Sequence, residues 1–162
     1  MSDELEQAMG TPEHYLQEAY LGEIGGEATF RALAESLPER ASDLHLLAEV
    51  ERVTAEYLSL HLLSSVPTEA VAKRRAEGKK RVTAMGIESW AALLEGALPV
   101  VEDALATLKA AEAHAPKDLL EVYQTYTAHE QALADYLRLE RDGKDGAHVL
   151  ENYINRVGPK VP

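Results

Sequence analysis

Two glutamates interrupt an apolar helix face near the start of the chain. Residues spaced alternately by four and three positions share one face of a helix, and this face reads Leu16, Tyr20, Glu23, Glu27, Phe30, Ala34 and Leu37. Burying ionised carboxylates is unfavourable unless they are neutralised. A metal ion, an arginine such as Arg31 or Arg52, or a bound proton would each neutralise them. The pattern therefore predicts carboxylate chemistry inside a helical core.

Other predicted helices carry glutamates in comparable positions. Glu51 lies among apolar residues at the same spacing in the second helix, and Glu130 does so in the fourth. Glu102 in the third helix lies one position off the apolar face, and Pro99 is expected to kink that helix and turn this glutamate inward. Counted from the turns between the helices, these acids lie at matching depths. The residues expected to converge are Glu23, Glu27, Glu51, Glu102 and Glu130.

Carboxylates from four helices at one level are the ligands of a site that holds two iron or manganese ions. Such ions would activate oxygen or peroxide for the oxidation of a small substrate, while the protein supplies their placement. A ligand set made of carboxylates favours hard ions such as manganese over zinc. The alternative is that these acids belong to unrelated ion pairs or to hydrated gaps between helices.

One histidine and two tyrosines flank the predicted site. His129 precedes Glu130 directly and is rotated by about 100° from it around the helix. It is therefore expected at the surface or boundary of the bundle, from where it would reach the metal ions only from the flank. Tyr123 and Tyr126 lie within two turns before Glu130. They are expected either as core aromatics or as the border of a small substrate pocket.

Glycine and proline divide the chain into helices. The predicted helices cover 12–37, 40–65, 68–84, 87–114, 117–141 and 146–156, with a loose tail over 157–162. The length predicts one domain over 1–162, with its core over about 12–141. Four long helices with a long link between the second and third predict an all-α fold: a four-helix bundle with one long crossover and short extra helices.

Two segments, GEIGGEATFRALAE and HEQALADYLRLE, resemble the ferritin-like superfamily, in particular its rubrerythrin-type and demethoxyubiquinone-hydroxylase-type bundles. In that family the first and third helices each give a glutamate, and the second and fourth each give Glu-x-x-His. The resemblance assigns these glutamate roles, in chain order, to Glu23, Glu51, Glu102 and Glu130. Thr54 and Leu133 stand where the family has histidine, which leaves loss of the metal site open as an alternative.

Composition limits the class of protein further. The 162 residues include no cysteine, so no disulfide or thiolate site forms. No apolar run is long enough for a membrane helix, and MSDELEQAMG is not a signal peptide, so a cytoplasmic location is expected. The net charge of −12 disfavours nucleic acid as a partner. The basic segment KRRAEGKKR over 73–81 is interpreted either as a solvated helix face or as a surface for an acidic partner.

Two functional hypotheses stay open. The first is a dimetal carboxylate oxidoreductase with two iron or manganese ions. The second is a non-catalytic relative that holds no metal and serves as a binding or dimerisation module. A homo-oligomer, most simply a dimer, is expected in both cases. A haem-oxygenase-like fold ranks last, because no histidine lies centrally in an apolar helix face.

Overall fold

The computed structural model describes residues 10–159, and its regular structure is entirely helical. The elements are α1 (Pro12–Ser36), a short 3-10 turn (Pro38–Arg40), α2 (Ala41–Ser59), α3 (Thr68–Met85), α4 (Trp90–Glu112), α5 (Leu120–Arg141) and α6 (Ala147–Val157). The predicted all-α class is therefore confirmed. Within residues 10–159, no helix is both long enough and apolar enough to cross a membrane.

Side-chain caps fix where two of the long helices begin. The Thr11 hydroxyl accepts a hydrogen bond from the His14 amide at 3.2 Å, as expected of a residue that caps α1. The Ser89 hydroxyl accepts from the Ala92 amide at the same distance. For this reason α4 begins at Trp90 rather than at the predicted residue 87.

The second helix ends earlier than predicted. It stops at Ser59 instead of residue 65. The chain beyond it is held by the Glu13 carboxylate of α1, which accepts hydrogen bonds from the backbone amides of Leu63 at 3.0 Å and Ser64 at 3.2 Å. These bonds satisfy amides that a longer helix would have satisfied internally.

Two pairs of consecutive helices, α1 with α2 and α4 with α5, pack along each other. Their apolar faces form two clusters. The larger one includes Leu33, Leu44, Leu47, Val50, Leu93, Leu94, Leu133 and Tyr136. The smaller one contains Leu16, Ala19, Leu58, Ala111, Val122 and Tyr123. Along α1 and α5, the glutamates of interest lie between the residues of the two clusters, so they are placed at mid-height of the packed helices.

Helix α3 lies on the outer side of α1. Its one buried residue, Gly78, packs so closely on α1 that a Cβ atom there would overlap the carbonyl of Gly25. The Thr29 hydroxyl lies 2.8 Å from the Gly25 carbonyl oxygen and 3.2 Å from that of Gly78. The remaining faces of α3 are turned outward, which leaves the basic segment 73–81 at the surface.

Helix α6 packs against α2 and α5 and carries Tyr153 into the core. It extends through Val157, where the loose tail was predicted to begin. The end of that tail, 160–162, and the N-terminal residues 1–9 lie outside the described residues.

Candidate metal centre

Glu23 on α1 and Glu51 on α2 are buried at the interface between the two helices, with exposed fractions of 4% and 5%. Both were predicted from their spacing along the apolar face. The absence of a side chain at Gly26 creates room for one of them, because a Cβ atom at this position would overlap the Glu51 carboxylate. The glycine-containing turn of α1 therefore lets the Glu51 carboxylate lie directly against the backbone of the neighbouring helix.

Helix α5 contributes two consecutive residues to the same place. The Nε2 atom of His129 lies 3.3 Å from Glu23 Oε1 and 3.1 Å from Glu130 Oε2. His129 is only 1% exposed, so the expectation of a surface or boundary position is wrong. The physical reason is that α5 packs against α4, α2 and α6 at once, so an unusually wide arc of its circumference is buried.

We call Glu23, Glu51, His129 and Glu130 the buried cluster. One ligand atom from each of Glu23, Glu51 and His129 lies within 4.8 Å of the others. Atoms bound at about 2.1 Å to a common ion lie about 3.0–4.2 Å apart, so side-chain shifts of up to about an ångström would bring these three onto one ion. Glu23 Oε2 is buried and has no hydrogen-bond partner among the described residues. Either a bound cation or a proton on Glu51 that is donated to Glu23 would satisfy this carboxylate.

The orientation of His129 is set by Tyr126, one turn earlier on α5. Its Nδ1 atom bonds the Tyr126 carbonyl oxygen, and the two rings stack with centroids 4.9 Å apart and planes 9° from parallel. A carbonyl oxygen only accepts, so the Nδ1 atom carries hydrogen and Nε2 faces the carboxylates. Imidazoles that bind metals are commonly held in this way, with the second nitrogen donating to a carbonyl or a carboxylate.

The carboxylates and the imidazole perturb one another electrostatically. Burial, followed by the charges of Glu23 and Glu130, raises the pKa of Glu51 well above 4.5. Burial also raises the pKa of Glu23, although His129 opposes this. Burial lowers the pKa of His129, but the two neighbouring carboxylates outweigh it and raise the value to about 9. Without a metal ion, the cluster therefore retains protons at neutral pH that isolated side chains would release.

Glu27 lies at the edge of the buried cluster. Its carboxylate forms an ion pair with Arg31, one turn later on α1, at 2.8 Å. Its charge is nevertheless close enough to contribute to the raised pKa of Glu51. Glu27 is thus placed near the cluster, as predicted, but with a guanidinium as its partner.

The structure does not bring Glu102 into the cluster. Its side chain is 44% exposed and pairs with Arg138 of α5 at 2.9 Å. Helix α4 continues through Pro99, and Glu102 stays outside the face on which Leu98 and Leu105 are buried. The inward rotation expected from Pro99 does not occur, so α4 supplies none of the four members of the cluster.

The two tyrosines predicted near the site have different surroundings. Tyr123 stacks on Tyr15 of α1 with centroids 4.6 Å apart and belongs to the smaller apolar cluster. Tyr126 contacts His129, and burial together with the charge of Glu23 raises its pKa. Only Tyr126 is part of the surroundings of the cluster, and a substrate pocket bordered by these two residues stays a prediction.

Tyr153 was missed by the sequence-based prediction of the site. Its hydroxyl lies 2.8 Å from the Thr54 hydroxyl, which also donates to the Val50 carbonyl at 2.7 Å. Burial and then the charges of Glu23 and Glu51 raise the pKa of Tyr153. Thr54 is the residue at which the family resemblance called for a histidine. The apolar face of α6 indicated that Tyr153 would be buried, but nothing in the sequence indicated which helices that face would contact.

Comparisons with known proteins do not assign the chain to a family. The sequence matches no family model, and neither a curated protein nor a solved structure was found to be similar to it. What the site does must therefore be inferred from its geometry and chemistry.

Proposed function

We propose that this chain is a metal-binding protein in which Glu23, Glu51, Glu130 and His129 hold a divalent iron or manganese ion. The observation that carries the proposal is the convergence of three buried carboxylates and one oriented imidazole from three helices. Glu23 Oε2, which accepts no hydrogen bond from residues 10–159 while Glu51 is ionised, is a further oxygen that could bind the ion.

Charge balance supports a bound cation. Three ionised carboxylates exceed the single positive charge that His129 can carry, and leaving that excess in a site shielded from water is unfavourable. Protons reduce the excess in the metal-free protein, as the raised pKa of Glu51 indicates. A divalent ion would replace the protons of His129 and Glu51, charge for charge, so that Glu51 need not stay protonated.

The ligand types favour particular ions. Carboxylate oxygens suit hard ions such as manganese and magnesium, and imidazole nitrogen suits transition metals such as iron. Iron(II) and manganese(II) satisfy both preferences.

The four residues of the buried cluster provide ligands for one ion. A second ion, as the sequence pattern predicted, would require Glu27 to leave Arg31, because Glu102 is turned away.

In this proposal the chain is a ferritin-like bundle with oxidoreductase chemistry. A bound iron or manganese ion would supply reactivity toward oxygen or peroxide. The chain's own residues hold the ligands: Tyr126 orients His129, and Gly26 admits the Glu51 carboxylate. The apolar clusters on either side of the site keep bulk water away from it.

A second candidate is a non-catalytic bundle that binds no metal and acts as a binding or dimerisation module. One observation favours it: the imidazolium of His129 already bridges Glu23 and Glu130, and a protonated Glu51 can donate its hydrogen bond to Glu23. In that case the basic segment 73–81 would contact an acidic partner or a second copy of the chain.

Metal analysis separates the two candidates. Protein purified without chelator and then titrated with iron(II) under anaerobic conditions, or with manganese(II), is expected to bind about one equivalent. Glu130→Gln should weaken binding by at least about 10- to 100-fold, the loss typical even of residues that only support a ligand. Glu102→Gln is the matched control, because this glutamate lies outside the cluster, and it should bind as the wild type does. A wild-type protein that stays metal-free, with a melting temperature unaffected by either ion, would support the second candidate.

A further inference from the structure

A groove runs along the surface between α5 and α6. Two cavities of about 330 Å³ and 310 Å³ form it, and both are lined by Ala128 of α5 and Arg156 of α6. Because they share these residues, the two cavities are neighbours along the same groove. Each lies at the lower end of the volumes typical of small-molecule sites, about 300–1,000 Å³.

Arg156 is the main charged donor of this groove. No ion pair joins it to a carboxylate of residues 10–159, although the two arginines of the neighbouring helix α5, Arg138 and Arg141, are both paired. Its guanidinium lies over the Tyr153 ring at 5.6 Å from the ring centroid. Arg156 is exposed, and its N–H groups are free to bind a carboxylate in a bidentate manner.

The acid that lines the first cavity does not neutralise Arg156. Asp135 is occupied by Arg138 at 3.0 Å and by the Gln131 amide at 2.9 Å. Glu121 lines the second cavity only, so in the first cavity no unpaired acid lies beside Arg156. The surroundings of Arg156 are otherwise apolar or neutral.

The inner wall of the groove leads toward the buried cluster. Tyr153 lines the first cavity, and its hydroxyl reaches Thr54 on α2, one turn from Glu51. The ring of Tyr153 thus separates the groove from the cluster. Ala128 and Val149 add apolar surface beside this ring.

We infer that the groove between α5 and α6 binds a small molecule that carries a carboxylate on a flat apolar body. The carboxylate would pair with Arg156, and the apolar body would lie against Ala128 and Val149, with the buried Tyr153 ring beneath. The role of this groove as the substrate site of the metal centre rests on the proposed function. Binding of the molecule itself does not require a metal ion, so the two can fail separately.

Benzoate is a suitable probe, with benzamide as its uncharged counterpart. Titrations of the metal-free protein, followed by chemical-shift changes in two-dimensional NMR spectra, should show benzoate affecting residues of α5 and α6. Arg156→Gln should weaken binding by about ten-fold or more, the effect of losing one charge-assisted pair. Ala128→Leu, which fills the junction of the two cavities without changing charge, should weaken it as well. Arg141→Gln, an exposed arginine elsewhere on α5, should leave it unchanged.

Three results would overturn the inference. The first is equal benzoate binding by the wild type and by Arg156→Gln. The second is equal binding of benzoate and benzamide. The third is a set of shift changes confined to the basic segment 73–81, which would mean that benzoate responds to general positive charge. Failure of metal binding with intact benzoate binding would refute the metal centre and leave the groove in place.

Discussion

Replacing Glu51 by glutamine tests whether the metal-free cluster is under electrostatic strain. In the folded chain, burial and the charges of Glu23 and Glu130 raise the pKa of Glu51 well above 4.5. In the unfolded chain the same carboxyl titrates near its ordinary value. The folded state therefore binds a proton that the unfolded state releases, and stability must fall as the pH rises above about 4.5.

The size of the effect has an upper limit at pH 7. One pH unit corresponds to about 1.36 kcal/mol, so protonating a carboxyl of ordinary pKa 4.5 at pH 7 costs at most about 3 kcal/mol. Glutamine is neutral at every pH, and its amide can donate to Glu23 as a protonated Glu51 would. We expect Glu51→Gln to raise the unfolding free energy of the metal-free protein by about 1–3 kcal/mol at pH 7 and by much less near pH 5.

His129 adds a second pH dependence with the same sign. Its pKa rises from 6.5 to about 9 in the folded protein. Its stabilising contribution is therefore complete below pH 6.5 and is lost as the pH rises through 9. The Glu51→Gln variant should keep this alkaline part of the profile and lose less stability between pH 5 and pH 7 than the wild type, although the raised pKa of Glu23 contributes there too.

Urea denaturation followed by circular dichroism, with a chelator present, measures these profiles between about pH 5 and pH 9. Glu102→Gln is the control, because Glu102 is exposed and its pair with Arg138 should contribute no more than about 1 kcal/mol. A Glu51→Gln protein that is less stable than the wild type at pH 7 would refute the reasoning. A wild-type profile that is level from pH 5 to pH 7 would do the same.

Two glycine substitutions, each with a matched control, distinguish an effect on metal binding from an effect on stability. Gly26→Ala should abolish metal binding, because the new Cβ displaces the flexible Glu51 carboxylate. It should change the free energy of unfolding by only about 1 kcal/mol, because alanine has a higher helix propensity than glycine. Gly22→Ala is the control: it lies on the same helix with open space around it, and it should retain full metal binding in the same titration. Gly78→Ala should destabilise the protein by about 1–3 kcal/mol, because its Cβ meets the backbone of α1. Gly96→Ala on α4 meets nothing and should be neutral or stabilising, and equal melting temperatures for these last two variants would contradict the close packing of α3.

Three of the four members of the buried cluster were accessible to sequence-based reasoning. Glu23, Glu51 and Glu130 each replace an apolar residue in a periodic pattern, and periodicity reports which face of a helix is buried. Glu102 deviates from its pattern by one position, and such an acid finds water or an arginine more readily than a core. The structure shows that outcome, with Arg138 as its partner.

His129 and Tyr153 show where periodicity stops being informative. Helical periodicity identifies one buried face per helix. Helix α5 instead has neighbours on several sides and buries residues that are adjacent in sequence. The position of Tyr153 depends on where a short C-terminal helix docks. That docking is a property of the assembled core, and no local pattern in the sequence encodes it.

The arginines decide between the remaining ways of neutralising the cluster. Arg31 binds Glu27 at its edge, and Arg52 faces outward, where it binds Glu49 and Glu56. Among the described residues, no guanidinium pairs with a carboxylate of the cluster itself. His129 is then its one internal cation, and protons or a metal ion must compensate the remaining charge. Since both would occupy the same oxygen and nitrogen atoms, metal uptake should release protons, and its affinity should fall steeply as the pH is lowered.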